Sequence, residues 1–159
     1  MDQMWISEAV VDTTRQVLSS MASMNVLGGS TQATINIPER HLTAMVGFAG
    51  SYMGLAAIHC SETVGKKICG SMLRMPPETL SDEDVRDAMG EIANIIAGRF
   101  KTAFIEKIQA GEEVFDQSVP SVICGDDYET HTVTDAPTTC VEFTSDQGVF
   151  FVEVSLKKM

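Results

Sequence analysis

The sequence predicts an α/β chain of the α+β kind, with long helices packed on an antiparallel-rich sheet and an internal pseudo-twofold repeat. Three observations predict it. Helical apolar periodicity runs over two long segments, about 3–24 and 81–109. Strand-like runs joined by glycine-containing turns recur at 43–60 and 138–156. The two halves also repeat one order, a long helix and then three strands ending in a hairpin, with a short helix bridging them. At 159 residues the chain is within the size of one domain, so residues 1–159 are expected to form a single unit.

Each element has a local cause. From Gln3 to about Met24, Ile6, Val10, Val17, Met21 and Met24 recur at helical spacing, with Trp5, Val11 and Leu18 beside them. "LGGS" at Leu27–Ser30 is expected to end that helix, because paired glycines cost backbone entropy inside one. "TQATINI" then alternates as a strand does, up to Pro38. "TAMVGFAGSYMGLAAIHC" reads as a β-hairpin turning at Gly50-Ser51, a pair suited to a tight type II′ turn. Ser61 can cap a short helix reaching about Leu73, and the prolines of "MPPE" break the chain after it. "SDED" at Ser81–Asp84 is a capping-box pattern with acids at the positive end of a helix dipole, so the longest helix starts there and runs to about Gln109, where "AGEE" stops it. Three strand-like segments follow, near Phe115–Cys124, Thr138–Thr144 and Val149–Leu156. Asp146-Gln147-Gly148 is expected as a three-residue loop between the last two.

Composition excludes several functions. Hydrophobic residues make up 44% and charged residues 21%, ordinary for a soluble globular chain, and no apolar run approaches the ~18 residues that span a bilayer. "MDQMWISEAV" holds two acids, no base and no continuous apolar stretch, so it does not read as a secretory signal, and a cytoplasmic location is expected. The net charge of −11, with no concentration of Lys and Arg, argues against nucleic acid and anionic membrane and leaves proteins or small ligands as partners. Cys60, Cys69, Cys124 and Cys140 have no CxxC or zinc-like spacing and read as reduced and mostly buried; with His41, His59 and His131 scattered, no metal site is announced. His59 and Cys60 are adjacent in a strand and so face opposite ways, which spoils a Cys-His dyad, and no glycine-rich loop has phosphate-binding spacing.

The long helix carries the chemistry. On a wheel at about 100° per residue, Met89, Ile92, Ala93, Ile96, Phe100 and Ala103 share one side, while Asp84, Asp87, Glu91, Asn94, Gly98 and Lys101 fall within roughly 120° on the other. Charged residues on an outer stripe are what any surface helix shows. Asn94 and Gly98 are different: a mid-helix Asn competes for backbone hydrogen bonds, and a mid-helix Gly costs about 1 kcal/mol relative to Ala. Approach of another molecule would give both a reason. Gly90 and Gly98 would remove side chains on either side of Glu91 and Asn94, letting a carboxylate that can bind lysine and an amide that can orient water project into a partner's cleft.

With Asp87, Glu91 and Asn94 in a D-x-x-x-E-x-x-N pattern, the context "MGEIANIIAGRFKTAF" and a proline well downstream, the chain resembles the CheC/CheX/FliY family of chemotaxis phosphatases, most closely CheX-like proteins. The order of helices and strands matches that family's fold over most of the chain. The resemblance implies hydrolysis of the aspartyl phosphate of a CheY-like response regulator. It implies that Asn94 orients the attacking water and Glu91 pairs with the regulator's active-site lysine. Asp87, Gly90, Gly98 and Lys101 would line the partner-binding face, and the Mg²⁺ would belong to the partner. Two departures stand out. The interval from Asn94 to Pro120 is longer than is usual in the family, with "QAGEE" at Gln109–Glu113 as the extra length. The first helix has no E-x-x-N, which implies the single site of CheX rather than the two of CheC; CheX-like proteins pair through their sheets, which implies a homodimer. A non-catalytic module docking a response regulator or flagellar switch component, and a structural or small-ligand-binding dimer, remain alternatives.

Overall fold

A computed structural model of the chain describes residues 3–32, 34–109, 114–131 and 135–159; the expected helix stop at 110–113 lies outside them. In chain order the elements are α1 (Gln3–Ala22), β1 (Val26–Gln32), β2 (His41–Gly50), β3 (Tyr52–Ser61) and α2 (Glu62–Leu73). A single 3₁₀ turn (Pro77–Thr79) leads into α3 (Asp82–Ile108), followed by β4 (Phe115–Gln117), β5 (Ser121–Gly125), β6 (Thr138–Ser145) and β7 (Gly148–Lys158). Both predicted caps are present: the Ser61 hydroxyl accepts from the N–H of Val64, and Ser81 and Asp84 exchange side-chain to backbone bonds of 3.1 Å each way.

All seven strands form one antiparallel sheet in the order β1-β6-β7-β3-β2, with β4 and β5 pairing successive stretches of β2 beyond it. The order carries the predicted twofold character. β3 and β7 pair at the centre, and the first strand segment of each half adds to the hairpin of the other half, β1 to β6 and β4–β5 to β2. Register puts the apolar residues of alternate positions in rows, such as Val122, Ala44, Ile58, Val152 and Val141. These rows and the buried residues of all three helices form one cluster, so the helices cover the same face of the sheet.

Several local expectations are corrected. Gly28 and Gly29 do not end the first helix; they lie inside β1, beside a register shift between Val26 and Gly28. A Cβ on Gly29 would come within 3.1 Å of the Phe143 ring, so the glycine serves close packing. The β2–β3 hairpin forms, yet its last pair is Phe48 with Gly54, which leaves no two-residue turn at Gly50-Ser51. Gly50 takes φ +154° and pairs with Phe115, where any Cβ would meet the Phe115 Cα at 2.8 Å. The segment 115–124 is two strands, because Pro120 has no N–H to give the ladder. In the last hairpin Ser145 pairs with Gly148, so the loop is Asp146-Gln147, and Gly148 holds the positive φ, +126°, that the loop requires.

The opposite face of the sheet holds a polar network that the scattered histidines did not announce. His59 is fully buried, with Nδ1 2.8 Å from the Thr43 hydroxyl and Nε2 2.7 Å from Glu153. The Tyr128 hydroxyl donates to Thr43 at 2.8 Å, and the His41 ring stacks on Tyr128 at 4.4 Å and lies 5.5 Å from His59. Burial first, and then the neighbouring His59, push the His41 pKa down to about 4 from the ordinary 6.5. The four cysteines are free, and Cys124 alone of them is exposed.

Two outcomes are expected. Ser81→Ala removes one half of the capping box and should lower unfolding free energy by about 1 kcal/mol in urea titrations. Because the unfolded chain protonates His41 before the folded one does, stability should fall as pH drops from 6.5 towards about 4. Denaturation midpoints of His41→Gln across that window should show a shallower slope than those of the wild type.

Candidate functional site

The site is built on α3, whose rotation is set by what it buries. Met89, Ile92, Ala93, Ile96 and Phe100 face the core as their spacing predicts, joined by Val85, Ala88 and Ala97. The last inward position is Phe104 rather than Ala103. The Phe104 ring meets Tyr52 at 4.9 Å, Phe115 at 6.0 Å and Phe100 at 6.2 Å, while Ala103 turns to the groove beside Trp5 on α1. The opposite stripe then faces outward. Asp87 and Glu91 are exposed, and Asn94, Gly98 and Lys101 are half-buried.

Glu91 and Asn94, three residues apart, bring their Cβ atoms within about 5–6 Å of each other on a helix surface. Glu91 has no hydrogen-bond or ion-pair partner within the chain among the described residues. Asp87, one turn before it, adds a second negative charge on the same stripe, an i,i+4 repulsion that an approaching cation would relieve. The arrangement offers an anionic group beside a neutral amide on a rigid element.

The segment from β4 to β5 runs antiparallel to α3 along the edge of this stripe. Phe115 lies under the Lys101 ammonium, 5.7 Å from ring centre to Nζ, and Pro120 packs over Gly90. The two elements keep pace because eleven helical residues and five extended ones each cover about 16 Å. Ser118 holds the segment to β2: its N–H donates to the Gly47 carbonyl and its hydroxyl accepts from the Gly47 N–H, both at 2.9 Å.

This segment changes the reading of two residues. Gly90 is buried, and a Cβ there would lie 3.5 Å from Pro120 Cγ and 3.6 Å from Val122 Cγ2. The space expected for a partner at that position is filled by the chain itself. Lys101 is occupied in part by Phe115. Despite the longer interval, Pro120 therefore reaches the helix one turn before Asn94, and most of the extra length, 110–113, lies outside the described residues.

The sequence reading missed Gln117. Its Nε2 lies 3.0 Å from the Asn94 backbone carbonyl and 2.9 Å from Asn94 Oδ1. The signal was its phase: Gln117 is two residues from the buried Phe115 and so points to the helix side of the sheet, while the exposed Asp116 points away. Among the described residues no three His, Cys, Asp or Glu side chains converge as a metal cage, and no helix is long and apolar enough to cross a membrane.

Similarity to known proteins covers the span in which these residues lie. Chemotaxis protein CheX from Desulfovibrio desulfuricans is 26% identical, with TM-score 0.79 over 96% of this chain and 99% of that one. CheX from Vibrio vulnificus is 23% identical, with TM-score 0.79 over 99% of each chain. A chain from the CheX–CheY–BeF3–Mg²⁺ complex of Borrelia burgdorferi is 21% identical, with TM-score 0.72 over 95% of this chain and 97% of that one. Comparison with curated proteins gives no match. The family model described as "Chemotaxis phosphatase CheX" matches residues 42–144, a span holding all of α3 and the 115–120 segment that lines its polar stripe, and the chain belongs to the CheX family.

Proposed function

We propose that the chain hydrolyses the aspartyl phosphate of a CheY-like response regulator, with Asn94 aligning the water and Glu91 pairing with the regulator's active-site lysine. The observation that carries this reading is the pair itself: an unpartnered, exposed carboxylate and a held amide, one helical turn apart on a rigid helix, in a family described as chemotaxis phosphatases. The Borrelia burgdorferi structure supports it, since there a CheX of the same fold is in complex with CheY, BeF3 and Mg²⁺. Beryllium trifluoride on a carboxylate stands in for the phosphoryl group. The Mg²⁺ is assigned to the partner.

The chemistry asks little of this chain beyond placement. In-line attack forms a bond from the water oxygen to phosphorus and breaks the bond from phosphorus to the aspartyl oxygen, releasing a carboxylate and inorganic phosphate. A carboxylate with a pKa of about 4 is a good leaving group, so a strong general base is not required. Holding a water in line is then the larger contribution, and a neutral amide can do that. Glu91 would fix the docking geometry by drawing the partner's lysine to itself. Asp87, Gly98 and Lys101 would border the docked surface, and a CheY-like substrate would place the chain in the cytoplasm. A homodimer formed through the sheet completes the reading; sedimentation as a monomer at working concentration would remove that part alone.

The test is loss of phosphate from phosphorylated receiver domains in Mg²⁺. Asn94→Ala should slow stimulated loss by about 100-fold or more while binding to a beryllofluoride-charged receiver stays close to wild type. An unchanged rate would sink the mechanism. Glu91→Ala should weaken binding by about tenfold or more and reduce turnover with it. Binding by the wild type without any stimulated phosphate loss would make the chain a docking module.

A further inference from the structure

We infer that Gln117 is a positioning residue that holds the Asn94 amide in one orientation, with its Nδ2 hydrogens and one lone pair of Oδ1 presented to the partner. The inference rests on the proposed role of Asn94 and goes beyond it by naming what fixes that residue.

The heavy atoms settle the orientation. A backbone carbonyl only accepts, so the Gln117 atom 3.0 Å from the Asn94 carbonyl is its amide nitrogen. That same nitrogen lies 2.9 Å from the terminal atom of the Asn94 side chain, which must therefore be the oxygen. Nδ2 is left with no partner within the chain among the described residues. One Oδ1 lone pair is used by Gln117 and the other remains free. The amide can thus accept from a water through Oδ1 and donate to a phosphoryl oxygen through Nδ2, which are the two contacts that line a water up with phosphorus.

Gln117 itself comes from a rigid support. It pairs with Phe48 in the β2–β4 ladder, and the next residue, Ser118, is bonded to Gly47 in both directions. Gly98 lies beside this contact: a Cβ there would stand at ordinary van der Waals distance from the Gln117 amide, 3.6 Å from Oε1 and 3.9 Å from Nε2. The glycine that costs the helix stability is the residue beside which Gln117 reaches the Asn94 carbonyl.

Gln117→Met keeps length and packing and removes both donors; Gln117→Glu keeps the shape and replaces the donor by an acceptor that repels the Asn94 carbonyl. Free flipping of the amide alone would cost about twofold, by halving the competent population. Loss of the hold on its χ angles adds the rest, for an expected fall in kcat of about tenfold in Gln117→Met. Its KM and its affinity for a beryllofluoride-charged receiver should stay within about twofold of wild type, a split that a general loss of structure would not give. In ¹⁵N spectra the Asn94 side-chain amide should shift and broaden in Gln117→Met and again in Gln117→Glu. A wild type that accelerates phosphate loss, with Gln117→Met equally fast or with KM carrying the whole change, overturns this inference and leaves the phosphatase reading standing. A wild type inactive on every receiver overturns the phosphatase reading and the catalytic half of this inference; an Asn94 amide signal indifferent to position 117 overturns the positioning half independently.

Discussion

Burial of one face of α3 against the sheet is the constraint from which the site follows. Phe100 and Phe104 are fully buried, and withdrawing side chains of that size from water contributes about 2 kcal/mol each. Turning the helix by one residue, about 100°, would expose Ile92 and Ile96 and drive Glu91 into the core. The rotation is therefore fixed by hydrophobic burial, and the direction in which Glu91 and Asn94 project is a by-product of it. No polar contact has to hold the helix in place, which leaves the polar stripe available for chemistry.

A second constraint acts along the helix. The β4–β5 segment is anchored to β2 and antiparallel to α3, and it meets the helix at three points: Phe115 under Lys101, Gln117 on Asn94, Pro120 over Gly90. Gly90, buried, and Gly98, on the stripe, each face one of the latter two contacts. A Cβ at 90 would stand at ordinary contact distance from Pro120 and Val122, and one at 98 at such a distance from the Gln117 amide. Glu91 has no hydrogen-bond or ion-pair partner within the chain among the described residues.

Much of this was legible in the chain. Periodicity placed the inward residues of α3 with one exchange, Phe104 for Ala103, because an aromatic ring able to meet Tyr52, Phe115 and Phe100 outweighs the ideal wheel angle. The caps at Ser61 and Ser81 were legible because they are local: a hydroxyl satisfies an amide three residues away. The turns were less so. Gly29 and Gly50 look like turn residues in one dimension, and in the fold they mark close approaches by Phe143 and Phe115 from remote parts of the chain. The Asn94 and Gly98 anomaly pointed to an approaching group, and part of that group proved to be Gln117 of the same chain.

By itself the sequence determined the three helices, the face that α3 buries and the outward stripe that carries Glu91 and Asn94, because periodicity and capping are set by neighbours within a few residues. Tertiary structure decided which strands pair, that His41 and His59 meet, that Gly90 is covered, and that Gln117 fixes the Asn94 amide. Those depend on register between strands and on the antiparallel run of β4–β5 along α3. No local preference encodes them; they arise when two elements with different rise per residue are brought side by side and only certain side chains coincide.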